Sequence, residues 1–158
     1  MLTLYFSPGD CSMASHIGLE ETGTPYEERP TLLPKGEHKT EAYLKINPRG
    51  KVPALSVDGK VITENTAILT YLAKRFPEKK LLPADPVEEA RCIATMAWFS
   101  NTVHPSYTHY LRPERFAEAD KDERRAVANG AGHDRQRHAP QTDGGVRHVR
   151  LPFQMICG

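Results

Sequence analysis

Residues Asn47 to Ala73 read NPRGKVPALSVDGKVITENTAILTYLA, and this run decides the fold class. "VPALSV", the pair Asp58-Gly59 and "KVIT" form the clearest hairpin signal in the chain, because an Asp-Gly turn supplies the positive φ angles that match strand twist. A helix is expected from Glu64. Ala67, Ile68, Tyr71, Leu72 and Phe76 then share one apolar face, and Pro77 stops it. Upstream, "LTLYF" (Leu2 to Phe6) is a short apolar strand ended by the turn residues "SPGD". From Ser12 the residues Met13, Ala14, Ile17 and Gly18 recur at helical spacing, with Gly23 as the stop. "PYEERPTLL" is a second strand, which Pro30 places at a sheet edge. The polar stretch from Pro34 to Pro48 is read as loop with a helical turn. Strand, helix, strand, hairpin, helix is the order of a compact α/β sandwich over Met1 to about Phe76.

Beyond that, "PEKKLLPADPVEEA" is a proline- and charge-rich connection. "VEEARCIATMAWFSNTV" reads as a strong helix offering Ile93, Met96, Ala97 and Trp98 to a core, with Pro105 to kink or end it. "RPERFAEADKDERRAVA" reads as a second, highly charged helix. After Ala128 lysine vanishes, glycine and proline punctuate the chain repeatedly, and helical periodicity stops. An ordinary disordered tail is one reading. The abrupt change of composition favours another, translation in a wrong reading frame.

The bulk numbers exclude several function classes. Hydrophobic residues make up 39% and charged residues 26% of the 158, ordinary for a globular protein. Twenty-one basic against 20 acidic residues leave a formal charge of +1. That balance offers no attraction to nucleic acid or an anionic membrane. The 3 cysteines, at 11, 92 and 157, are odd in number and far apart, which suggests neither a disulfide framework nor a zinc site. No apolar run approaches a membrane span and "MLTLYFSPGD" is no signal peptide, so the expected location is the reducing cytoplasm.

Cys11 stands where the first loop becomes the first helix. Unpaired N–H groups and partial positive charge at a helix start stabilise a thiolate, so a lowered thiol pKa is expected there. A small buried apolar residue is the other reading of a lone cysteine. "YFSPGDCSMASH", "NPRGKVPAL", "ITENTAILTYLA" and "NTVHPSYTHYLRPERF" together resemble the glutathione S-transferase family, in particular its bacterial, cysteine-bearing beta-like members, over Met1 to about Val127. The resemblance implies an α/β thioredoxin-like N-terminal domain over 1–80 and an all-α C-terminal domain. The second is truncated here to 87–128, with 129–158 an aberrant tail. The family's "T-x-A-D" helical-domain motif has no match in this sequence.

What the resemblance implies for the site follows residue by residue. The bond before Pro53 is cis, and Val52 pairs with the peptide part of glutathione. Glu64 and Asn65, at a helix start suited to an anion, hold the γ-glutamyl end, Glu64 through the ammonium. A helix-start charge complementing the dipole is the plain reading of Glu64, and many relatives have Ser or Thr in place of Asn65. Lys35 contacts the glycyl end. Cys11 lies beside the glutathione sulfur and can form a mixed disulfide with it, while His104 lines the cleft and polarises a thiol near neutral pH. Asn101, one turn before His104, faces the same cleft. Tyr5 and Ser12 remain alternatives for stabilising the thiolate. As a strand residue Tyr5 reads as core and Ser12 as a helix cap, while His16 packs within the first helix. The implied activity is conjugation of reduced glutathione to small electrophiles, with glutathione-dependent thiol–disulfide exchange through Cys11. Glutathione is the co-substrate, no metal or other cofactor is expected, and the partner is a second copy in a homodimer. A noncatalytic interaction module and an inactive truncated product are the alternatives.

Overall fold

The structure, a computed structural model, describes residues 1–111. The charged helix expected over 112–128, the tail and Cys157 lie outside the described residues. The described chain divides into two compact units, Met1–Ile93 and a second beginning at Ala94.

The first unit is built on a four-stranded sheet, β1 (Leu2–Phe6), β2 (Glu27–Pro30), β3 (Ala54–Val57) and β4 (Lys60–Thr63), in the order β2-β1-β3-β4. β1 pairs in parallel with β2, Thr3 opposite Glu27 through Phe6 opposite Pro30. It pairs antiparallel with β3, Leu4 opposite Leu55. The expected hairpin joins β3 to β4, with Val57 opposite Lys60. Asp58 (φ 49°) and Gly59 (φ 84°) are both left-handed, as a two-residue turn of this twist requires. Pro30 does sit on an edge strand, where its missing N–H costs no ladder bond.

Helix α1 (Met13–Thr22) crosses over between β1 and β2, and α3 (Asn65–Arg75) follows the hairpin. The order β1-α1-β2 then β3-β4-α3 is thioredoxin-like. Leu4, Phe6, Leu19, Leu55, Ile68 and Leu72 form the buried core between the sheet and these helices. Residues four apart, such as Ile68 and Leu72, fall on one helix face. Helix α1 buries Ala14, Ser15, Gly18, Leu19 and Thr22 rather than Met13 and Ile17. A β-carbon on Gly18 would stand 2.5 Å from Leu69 Cδ2, so glycine lets α1 and α3 approach closely. Gly23 (φ 64°) ends α1, its N–H donating to Glu20 O. On the other sheet face Tyr5 meets Tyr43 edge-on at 6.0 Å. Tyr43 belongs to α2 (Glu41–Leu44), preceded by short helical turns at Leu33–Lys35 and Glu37–Lys39, in the stretch expected to be loop with a helical turn.

Helix α4 (Pro86–Trp98) starts at Asp85, whose Oδ1 accepts from the N–H groups of Val87 and Glu88, both at 3.0 Å. In the second unit the chain passes through a wide π turn, Phe99–Val103, into α5 (His104–Leu111). The helical path therefore continues through Pro105 instead of ending there. The missing N–H and the ring of Pro105 deny the ordinary bond to the carbonyl four residues back. The His104 N–H instead donates to Phe99 O, five residues back. Met96 is buried, but Trp98, expected in a core, is 37% exposed and stands edge-on to Phe99 at 5.1 Å.

Candidate functional site

The site begins in the loop between β1 and α1. Ser12 was expected to cap the helix, but its hydroxyl donates to Ser7 O at 2.9 Å and accepts the Ser7 N–H at 3.0 Å. It makes no cap bond. Fully buried and committed to closing its own loop, Ser12 is not available to a ligand's sulfur. The loop it closes presents Cys11, whose S–H donates to Val52 O across 3.8 Å. The Val52–Pro53 bond is cis, as the resemblance implied.

Val52 is held from behind by a buried polar set. Asn47 Nδ2 and the Tyr43 hydroxyl both donate to Lys51 O at 2.7 Å, and Asn47 Oδ1 accepts the Arg49 N–H at 3.1 Å. Burial pushes the Tyr43 phenol up to about 12, so it stays a donor. Gly50 (φ 58°) closes the turn, and a β-carbon there would press on His38 O at 3.0 Å.

The third part is the start of α3. Glu64 precedes the helix with φ 73° and ψ 127°, a conformation rare for a residue with a side chain. Its carboxylate is 59% exposed and lies 3.4 Å from the Arg49 guanidinium. Asn65 turns inward: Nδ2 donates to Cys11 O at 2.9 Å and Oδ1 accepts from Ser15 Oγ at 2.7 Å. The site thus brings Cys11, Val52, Glu64 and Asn65 to one place.

The lowered Cys11 pKa expected from the helix start is reversed. Burial raises it, the Asp10 and Glu64 carboxylates add to the rise, and its own backbone N–H and Lys51 oppose it. The reason is position. Cys11 precedes Ser12 and is not itself at the helix's first turn, so the field of α1 acts on it less than desolvation does. A thiol that donates to a carbonyl is also a thiol that keeps its proton.

No hydrogen bond or ion pair among the described residues ties Lys35 to this cluster; it is exposed at the end of its helical turn. Tyr5 is half-buried against Tyr43 on the sheet. Asn101 and His104, in the second unit, are both exposed, Asn101 on the π turn and His104 at the first position of α5. His16 does not pack within α1 alone. Its ring lies 4.6 Å from that of Phe6, and its Nε2 is 3.5 Å from Glu28 Oε1 on β2. Glu20 joins this exposed group, one ligand atom each of His16, Glu20 and Glu28 falling within 4.8 Å of the others. Sequence reasoning missed Asn47, Arg49, Lys51 and Ser15. The first three stand inside the quoted NPRGK run, where a polar set beside a proline was the available signal.

Residues 1–74 match the glutathione S-transferase N-terminal domain. Over 116 residues the chain is 34% identical to glutathione S-transferase GstA of Escherichia coli O157:H7, an alignment covering 72% of this chain and 58% of that one. Residues 1–74 are thus a glutathione S-transferase N-terminal domain. The chain is also 40% identical over 92 residues to maleylacetoacetate isomerase of Pseudomonas aeruginosa, covering 56% of this chain and 43% of the other. The chain thus spans about half the length of these curated relatives. Among solved structures, a glutathione transferase homologue from sulfitobacter with bound glutathione superposes with a TM-score of 0.75 at 35% identity, over 83% of this chain and 64% of that one. A bacterial beta class glutathione S-transferase from Sphingomonas chungbukensis gives 0.68 at 34% identity, over 84% and 65%. The glutathione S-transferase likeness thus includes the beta-like branch that the cysteine suggested.

Proposed function

We propose that the chain is a glutathione transferase that conjugates reduced glutathione to small electrophiles at the junction of Cys11, Val52 and the start of α3. The observation that carries this reading is the convergence of a thiol, the backbone carbonyl before a cis proline and a helix N-terminus within one small cluster. The backbone of Val52 would pair with the peptide part of glutathione, as the family resemblance implies, and the first N–H groups of α3 favour a carboxylate. Glu64 supplies a counter-charge for an ammonium, and Lys35 one for the glycyl carboxylate. In the second unit Asn101 and His104 are the residues that the family resemblance adds to the reading, His104 as the proton acceptor.

In conjugation the glutathione thiol gives its proton to a base. Its sulfur lone pair then bonds to the electrophilic carbon, and the leaving group departs with its bonding pair. Because Cys11 holds its proton, its contribution to this step is a hydrogen bond to the glutathione thiolate rather than an attack of its own. Where the substrate is a disulfide of glutathione, the Cys11 thiol first gives up its proton; its sulfur then bonds to one sulfur of the disulfide, and the other departs as a thiolate that takes up a proton to become reduced glutathione, leaving a mixed disulfide on Cys11. The reading extends to a cytoplasmic homodimer, as the family resemblance implies.

A second reading, glutathione-dependent isomerisation, is favoured by the 40% identity to a maleylacetoacetate isomerase. There the thiolate adds to an activated double bond and later leaves, so glutathione is not consumed. Following glutathione consumption against an aryl halide and an activated cis alkene separates the two. Stoichiometric loss with the halide supports conjugation, and cis-to-trans conversion without loss supports isomerisation. Neither reaction, in a chain that fails to bind glutathione, overturns both.

A further inference from the structure

We infer that Ser15 is a positioning residue for Cys11, acting through Asn65; the catalytic meaning of this relay rests on the glutathione reading above, but the relay itself does not. Three groups are in line. Ser15 Oγ lies 2.7 Å from Asn65 Oδ1, and Asn65 Nδ2 lies 2.9 Å from Cys11 O. A backbone carbonyl only accepts, so the amide must turn its nitrogen to Cys11. Its oxygen then faces Ser15, which must donate. The direction of every hydrogen bond is thereby fixed, and Ser15, fully buried in the first turn of α1, locks the amide.

Pinning the Cys11 carbonyl fixes the backbone from which its S–H reaches Val52 O. The relay also changes what Asn65 does. Its oxygen and one of its two amide N–H groups are engaged with the protein, so an anionic ligand group at α3 is met by backbone N–H groups and by no more than the second amide N–H. Asn65 reaches both Ser15 and Cys11 because its amide separates donor from acceptor. Ser15 and Asn65 act as a matched pair, each supplying what the other requires.

The test uses the full chain and the variants Ser15→Ala, Asn65→Ala and the double substitution. Three quantities are read: the Cys11 iodoacetamide alkylation rate against pH, glutathione affinity by titration, and the melting temperature. Loss of a buried hydrogen bond that positions the thiol is expected to raise the alkylation rate about fivefold or more in either single variant. The double variant should match the singles, because one relay is broken once. A lowered melting temperature with an unchanged alkylation profile in both singles would make the pair a structural bolt and overturn the inference. So would additive effects. Asn65→Ala keeps the measurement decisive if Ser15→Ala does not fold. Wild-type chain that takes up no glutathione would overturn the catalytic reading, with the alkylation profile still deciding the relay.

Discussion

Glu64 holds its positive φ with a β-carbon in place, and such backbone costs about 1–3 kcal/mol. Glycine there would remove the crowding, at an entropic cost of about 0.5–1 kcal/mol. Glu64→Gly is therefore expected to melt at or above the parent temperature while losing glutathione affinity, whereas Glu64→Ala keeps the strain and loses affinity as well. Calorimetric melting and titration check both, and unchanged affinity in either variant removes Glu64 from the site. At Cys11, a folded-state pKa above the ordinary thiol value means that the folded chain binds more protons between the two values. Stability contributed by the protonated thiol is then complete below about pH 8.5 and falls as pH rises toward the raised value. Alkylation against pH should show an apparent pKa above about 8.5. A midpoint below that would restore the helix-start thiolate and contradict the donor role.

At the scale of elements, α3 is fastened to the sheet by Ile68 and Leu72, both fully buried. Leu72→Ala should cost about 2–5 kcal/mol, from lost transfer energy and the cavity left behind. A denaturant midpoint that hardly moves would show that α3 is not docked as described. The reading of the elements from sequence succeeded where one residue type has few conformational options. Asp58-Gly59 could only be a tight turn, Gly23 a left-handed stop, and Pro30 an edge. It failed where the outcome depends on a distant partner. The Ser12 hydroxyl has a local cap and a loop carbonyl to choose between, and only the folded loop decides. The Ser15–Asn65 bond spans 50 residues, and no local pattern announces it. Pro105 left two outcomes open, because its exclusion of the ordinary helical bond can be absorbed by one wide turn as well as by a helix end. The four central site residues were legible only because the whole NPRGKVPAL and TEN arrangement resembles a family; each alone has a commoner explanation.

For the whole molecule, the single tryptophan is a convenient reporter, because Trp98 lies in the second unit. With 37% of its surface open, its fluorescence should be readily quenched by acrylamide. Emission shielded from quencher would place Trp98 in a core and contradict the exposure described. The proposed glutathione site draws Cys11, Val52, Glu64 and Asn65 from the first unit. Its existence is the claim on which the functional reading turns. Titration of reduced glutathione into isotope-labelled full chain, followed through backbone amide resonances, tests it most directly. Shifts concentrated at Cys11, Val52, Glu64, Asn65 and Thr66 are the expected result. Saturating glutathione that leaves these amides unmoved, or that moves a different surface instead, would contradict it.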